Sequence, residues 1–149
     1  MVSDLEKYVQ LLKGKNIKIT SPRLEIMRYL DSKNIHPSAD RIYSDLKKKN
    51  PSLSKTTVYN TLEILERHGL IQALTITEKE YRYDFDSKLH HHHFLCERCN
   101  KIMDIEVSCP HLDKMLSGEH KVEKVHGYMK GICRDCIKKE PKKKDKITC

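Results

Sequence analysis

Residues 54–69, Ser-Lys-Thr-Thr-Val-Tyr-Asn-Thr-Leu-Glu-Ile-Leu-Glu-Arg-His-Gly, read as a single helix with both ends marked. Ser54 belongs to the residue types that cap a helix by accepting from its first backbone N–H groups, and Gly69 is free to take the left-handed turn that ends one. Val58, Leu62 and Leu65 recur at three- and four-residue spacing and form the buried side. The other side presents Lys55, Thr56, Tyr59 and Asn60 near the helix start. Polar residues on the outside of a helix are the ordinary solvated state, so this face acquires meaning only from its surroundings. Immediately after it, Ile71 to Thr77 and Tyr81 to Phe85 read as two strands around Glu78-Lys79-Glu80, a hairpin or wing.

Upstream, three more helices are expected. Leu5, Val9 and Leu12 recur at helical spacing and stop near Gly14. Thr20-Ser21-Pro22 resembles a helix start with proline at the first helical position, followed by the stripe Leu24, Met27 and Leu30. After His36-Pro37, Ser38 can cap a helix that turns Ile42 and Leu46 inward and ends in the lysine run 47–49, before Asn50-Pro51. Helices followed by a hairpin predict a winged helix-turn-helix. A helix fits the DNA major groove and reads base edges with residues near its start. On that reading Ser54 and Thr57 suit phosphates, Tyr59 suits a thymine methyl or a phosphate, and Asn60 suits the paired edge of adenine, with Thr56 beside them.

From residue 90 the composition changes to histidine, cysteine and short β-like runs. Cys96-x-x-Cys99 and Cys133-x-x-Cys136 pair four thiols at a spacing that suits tetrahedral zinc, and four sulfurs close the shell against bound water. The 33 residues between Cys99 and Cys133 must fold while the metal ties their ends. His91–Leu95 and Lys101–Glu106 flank the first pair as strands, Leu112 to Leu116 suggests a helix, and Val122–Ile132 a further strand. This second unit is therefore a small mixed α/β domain.

Four consecutive histidines, His90 to His93, precede the zinc ligands, with Asp84 and Asp86 upstream and Asp104 downstream. With the turn centred between Glu97 and Arg98, antiparallel pairing sets His91 opposite Asp104 and His93 opposite Ile102. All then lie on one face, and His90 and His92 lie on the other. Further ligands for a second metal are available from Asp84 and His36. Imidazole mixed with carboxylate suits iron(II) or manganese(II), and zinc would also bind.

The chain has 149 residues and a net charge of +8, of which residues 138–149 contribute half with six basic and two acidic side chains. The lysine-rich tail adds nonspecific attraction to phosphates, so DNA recognition rests on the helix and wing instead. Met1 to Leu12 mixes Asp4, Glu6 and Lys7 among apolar residues, unlike a signal peptide, and no apolar stretch nears membrane-spanning length. A cytoplasmic protein with no membrane partner is expected. In such a reducing compartment paired cysteines are metal ligands more often than disulfides, leaving Cys109 and Cys149 over.

Taken together, the chain resembles the ferric uptake regulator family along almost its whole length apart from the lysine tail. The resemblance is carried by Ile19-Thr20-Ser21-Pro22-Arg23, His36-Pro37-Ser38-Ala39-Asp40, Ser54 through Asn60, Arg82-Tyr83-Asp84-Phe85, and His91-His92-His93 running into Cys96-Glu97-Arg98-Cys99. It implies an α+β protein: a winged-helix DNA-binding domain over 1–86, an α/β dimerisation and metal-binding domain over 87–138, and a flexible tail over 139–149. It implies a homodimeric repressor of a palindromic operator, with structural zinc on Cys96, Cys99, Cys133 and Cys136. Regulatory iron or manganese would be held by His36, Asp84, His91, His93 and Asp104. Lys18, Tyr59 and Asn60 match positions that contact DNA in relatives, and Arg23 is grouped with them.

Within the family, peroxide regulators carry aspartate where iron-uptake regulators carry glutamate, and Lys101-Ile102-Met103-Asp104-Ile105 is similar to the former. In that branch bound iron(II) reacts with hydrogen peroxide, a ligand histidine is oxidised, and metal and DNA are released. The alternative is control of iron, manganese or zinc uptake without peroxide sensing. One extra residue separates Asp84 from the histidines relative to typical peroxide regulators, which leaves Asp86 as a rival ligand. Val125 stands where a third site would need histidine, with His126 one position displaced, so no third site is expected. His90, His92, His111 and His120 read as solvated. An enzyme is disfavoured because neither His-Glu-x-x-His nor a deaminase signature is present, and a metal store would not need the capped reading helix and wing.

Overall fold

The protein is described by a computed structural model that covers residues 4–32, 35–75, 77, 79–85, 91–106 and 127–139. It divides into two compact units, Met1–His90 and His91–Cys149. The first contains α1 (Asp4–Gly14), α2 (Ser21–Ser32), α3 (Ala39–Lys47), α4 (Lys55–Arg67) and the strands β1 (Ile71–Leu74) and β2 (Arg82–Phe85). The second contains β3 (His92–Cys96), β4 (Ile102–Ile105), β5 (Tyr128–Gly131) and a single turn of helix, α5 (Arg134–Ile137). No helix among the described residues is long and apolar enough to cross a membrane.

The caps fall where the sequence puts them. Ser38 accepts from Arg41 N–H at 3.3 Å and Ser54 from Thr57 N–H at 3.0 Å, so each hydroxyl satisfies an amide that has no partner inside its helix. Gly69 sits at φ +69° just past α4, a conformation that costs glycine little. The core of the first unit gathers Leu12, Ile26, Met27, Leu30, Ile42, Val58, Leu62 and Leu65, with Ile71 and Phe85 added by the hairpin. The hairpin is antiparallel in the register Ile71↔Phe85 to Leu74↔Arg82, and its first strand stops at Leu74, short of the expected Thr77.

In α1 the expected stripe Leu5, Val9 and Leu12 is corrected to Tyr8 and Leu12: Leu5 is 52% exposed, whereas Tyr8 is 3%. The reason is that Tyr8 gains more than burial. Its hydroxyl donates to Asp31 at 2.8 Å, its ring meets Phe85 edge-on at 6.0 Å, and Lys7 pairs with the same carboxylate at 2.7 Å. A tyrosine with a partner for its hydroxyl serves the core as well as leucine does.

A second polar junction ties α2 to α3. The Tyr29 hydroxyl donates to Asp45 at 2.7 Å and Arg41 Nε reaches the same oxygen at 2.9 Å. The hydroxyl first and the guanidinium second hold the Asp45 carboxyl down at about 2. A carboxyl depressed on folding contributes stability that is present above its ordinary range and is lost as pH falls through the folded value. The stability difference between wild type and Asp45→Asn, followed by thermal unfolding, should therefore be constant at neutral pH and shrink between about pH 4 and about pH 2.

In the second unit β3 is central, antiparallel to β4 and parallel to β5. The expected strand over Val122–Ile132 is observed as Tyr128–Gly131, with residues 122–126 outside the described set, as are Leu112 to Leu116. Gly131 lies against the Phe94 ring, and a Cβ there would come within 3.2 Å of it. This close approach brings the chain after β5 back to the cysteines that end β3.

Candidate metal centres and nucleic-acid face

The register of β3 against β4 decides which groups converge. His93 pairs with Asp104 and Leu95 with Ile102, which corrects the expected pairing of His91 with Asp104 and His93 with Ile102. The reason lies in the turn. Cys96 N–H bonds Lys101 O at 2.9 Å and Asn100 N–H bonds Cys96 O at 2.8 Å, with Asn100 in the left-handed conformation at φ +57°. The turn therefore centres between Arg98 and Cys99, one residue later than expected. A two-residue period keeps His91 and His93 on one face in either register. Asp104 Oδ1 stands 3.7 Å from His91 Nε2 and 3.8 Å from His93 Nε2. The two Nε2 atoms are 3.1 Å apart. Ligand atoms each about 2.1 Å from one metal and at right angles to each other lie about 3 Å apart, so the trio fits a shared cation. His92 faces away, its Nδ1 3.3 Å from Gly127 O.

In the first unit, His36 is 1% exposed, with Nε2 at 3.7 Å from Asp84 Oδ1. Its backbone lies at φ +46°, a conformation that costs a non-glycine residue roughly 1–3 kcal/mol unless its surroundings impose it. Strand β2 imposes it. Arg82 Nη1 donates to His36 O at 3.2 Å and Tyr83 N–H donates to Pro37 O at 3.0 Å, while the next residue along the strand is Asp84. Arg82 is a supporting residue that sequence reasoning missed. Its partner is 46 residues away, and the motif Arg-Tyr-Asp gave no hint beyond proximity to Asp84. Asp86 and His90 lie outside the described residues, as do Cys109, His111, His120, Val125, His126 and Cys149.

The four cysteines meet at the far end of β3. Sγ of Cys96 is 3.9 Å from that of Cys136, and Cys99 is 3.8 Å from Cys133. Zinc–sulfur bonds of about 2.3 Å at tetrahedral angles place sulfurs about 3.8 Å apart, whereas a disulfide would bring them to about 2 Å. All four sulfurs lie within 4.8 Å of one another, and all four cysteines are free thiols. Backbone N–H groups of Cys133 and then Cys99 hold the Cys96 thiol well below its ordinary range, while its sulfur neighbours, Cys133 first, push Cys136 up. Four crowded thiols cannot all ionise by themselves, and a divalent cation removes that conflict. The cluster is a structural zinc site.

On the nucleic-acid face, Thr56, Tyr59 and Asn60 are exposed on α4. Ser54 and Thr57 are engaged with each other, their side-chain oxygens 2.7 Å apart. Tyr59 donates its hydroxyl to Asp40 at 3.0 Å, and Lys55 pairs with the same oxygen at 2.7 Å. Lys18 and Arg23 are brought together between α1 and α2, where Arg23 Nη1 donates to Lys18 O.

Comparison with known proteins agrees with this geometry. Residues 14–131 match the ferric uptake regulator family. The chain is 36% identical over 138 residues to the peroxide-responsive repressor PerR of Staphylococcus epidermidis, covering 89% of this chain and 90% of that one. Among solved structures, it is similar to the Helicobacter pylori ferric uptake regulator Fur, a protein with three functional metal binding sites. The match has a TM-score of 0.73 and 25% identity over 95% of both chains. It is also similar to PerR of Streptococcus pyogenes, a protein of peroxide sensing and gene regulation. That match has a TM-score of 0.51 and 34% identity over 89% of this chain and 92% of that one.

Proposed function

The chain belongs to the ferric uptake regulator family, and from that premise we propose that it is a metal-dependent, DNA-binding transcriptional repressor that senses peroxide. The observation that carries this reading is Asp104, which faces His93 and stands beside His91 in a chain most similar to peroxide-responsive repressors. We assign His36, Asp84, His91, His93 and Asp104 as ligands of one regulatory ion, iron(II) or manganese(II). Asp84 is preferred over Asp86 because it lies beside His36. Such an ion would draw ligands from both units and so fix the orientation of the DNA-reading part, residues 1–86, relative to the dimerising part, residues 87–138. Operator binding would then follow occupancy.

Bound iron(II) supplies the electron that reduces peroxide, which zinc cannot do. The protein's own contribution is to hold His36, His91 and His93 at the point of oxidant formation, so that a histidine takes up oxygen and the ligand set is broken. The four-cysteine shell leaves no open position for hydrolytic chemistry, which supports a regulator rather than an enzyme. In this reading it acts as a homodimer on a palindromic operator in the cytoplasm. Ser54, Thr56, Thr57, Tyr59, Asn60, Lys18 and Arg23 meet the DNA, and the tail 139–149 adds salt-dependent attraction.

The test is binding to a palindromic duplex, selected from a random library by the manganese-loaded protein, before and after mild peroxide. Iron-loaded protein should lose the duplex and manganese-loaded protein should keep it. Equal behaviour of the two forms would move the function to control of metal uptake.

A further inference from the structure

Lys55 and Tyr59 stand one helical turn apart on the reading face of α4, the Lys55 ammonium 5.8 Å from the centre of the Tyr59 ring. Both are tied to one oxygen, Asp40 Oδ1, which comes from the preceding helix α3. The Asp40 side chain is 60% exposed and that of Lys55 is 55% exposed, so this ion pair contributes little to stability. Asp40 does lie in the first turn of α3, where a negative charge is favourable, but that role would not require it to reach α4. An anionic group on a surface that meets phosphates also works against binding.

Resting on the reading of this protein as a DNA-binding repressor, we propose that Asp40 is a specificity-determining positioning residue. Its carboxylate neutralises Lys55, which withholds that cation from nonspecific phosphate contacts. The same carboxylate fixes the Tyr59 hydroxyl, which holds the ring in one orientation towards a base edge. Phosphate contacts raise affinity for every sequence alike, whereas base contacts discriminate. A carboxylate that ties up a phosphate-binding cation while orienting a base-contacting ring therefore lowers general affinity and raises selectivity.

The experiment compares full-length, manganese-loaded wild type with Asp40→Asn. The side chain is isosteric and still accepts from Tyr59, but it no longer neutralises Lys55. Binding is measured across a salt series to the library-selected palindrome and to a scrambled duplex of the same length and composition. For the scrambled duplex, Asp40→Asn should bind about fivefold to tenfold more tightly at low salt, and its slope of log affinity against log salt should steepen by about 1, one released phosphate contact. The ratio of palindrome to scrambled affinity should fall by about fivefold or more. Adding Lys55→Gln to Asp40→Asn should return the slope to the wild-type value, which a general disturbance of α3 would not do. An unchanged slope and ratio in Asp40→Asn, from a wild type that binds with salt dependence, would overturn the role of Asp40 alone. A wild type with no salt-dependent binding to either duplex would overturn the DNA-binding reading and this role with it.

Discussion

Stripping zinc with a strong chelator should unfold the second unit and leave the first folded, and Cys96→Ser should do the same without a chelator. The buried residues described in the second unit are few: His93, Leu95, Ile102 and the three cysteines Cys96, Cys133 and Cys136. Such a core is small beside the conformational entropy of the segment, and small domains of this kind need a staple. Zinc on four thiolates contributes roughly 10–16 kcal/mol at neutral pH, as much as the entire stability of a typical domain. Cys96 matters most because its sulfur also accepts from Cys133 N–H at 3.3 Å and its backbone closes the turn with Lys101 and Asn100. Hydrogen exchange read by segment, with native mass spectrometry for zinc content, checks this. Protection should vanish in β3, β4 and β5 while α2 and α4 keep theirs. Retained protection in β3 after zinc loss would show that the sheet stands without its metal.

His93→Ala and Asp104→Ala should each lower manganese affinity by about 100-fold or more while leaving one zinc per chain bound. Loss of a residue that only supports a ligand costs about 10–100-fold, so loss of a ligand should lie at or beyond the upper end. Both residues sit on the sheet face away from His92, and His92→Ala should leave manganese affinity near wild type. Titration calorimetry of zinc-loaded protein measures all three. Operator binding by the first two variants should be absent at a manganese concentration that saturates the wild type. If Asp104→Ala kept full affinity, the convergence of Asp104 with His91 and His93 would be a surface accident.

The parts of the fold that were legible in the sequence are those whose causes are local. α4 announces itself through Ser54, the stripe Val58, Leu62 and Leu65, and Gly69, and each signal acts within a turn or two of the chain. The four cysteines are legible because their spacing is chemical. The metal-binding histidines were found by residue type, but their register was not. It depends on Asn100 taking a left-handed conformation inside the Cys-x-x-Cys turn, and a periodicity count cannot place the centre of such a turn. Tyr8 displaced Leu5 from the core because its hydroxyl had a partner in Asp31, 23 residues away. Arg82 and Asp40 act through contacts 46 and 19 residues distant, on a backbone carbonyl and on two side chains of another helix. No pattern in one segment carries that information.

The central claim is that an iron ion held by His36, Asp84, His91, His93 and Asp104 turns peroxide into loss of repression. Its most direct test is peptide mass spectrometry of iron-loaded and manganese-loaded protein after mild peroxide, taken from the samples whose operator binding is measured. The expected result is one added oxygen on His36, His91 or His93, in the iron form only, in proportion to the lost binding. Lost binding with these histidines intact, or equal oxidation in both metal forms, would contradict it.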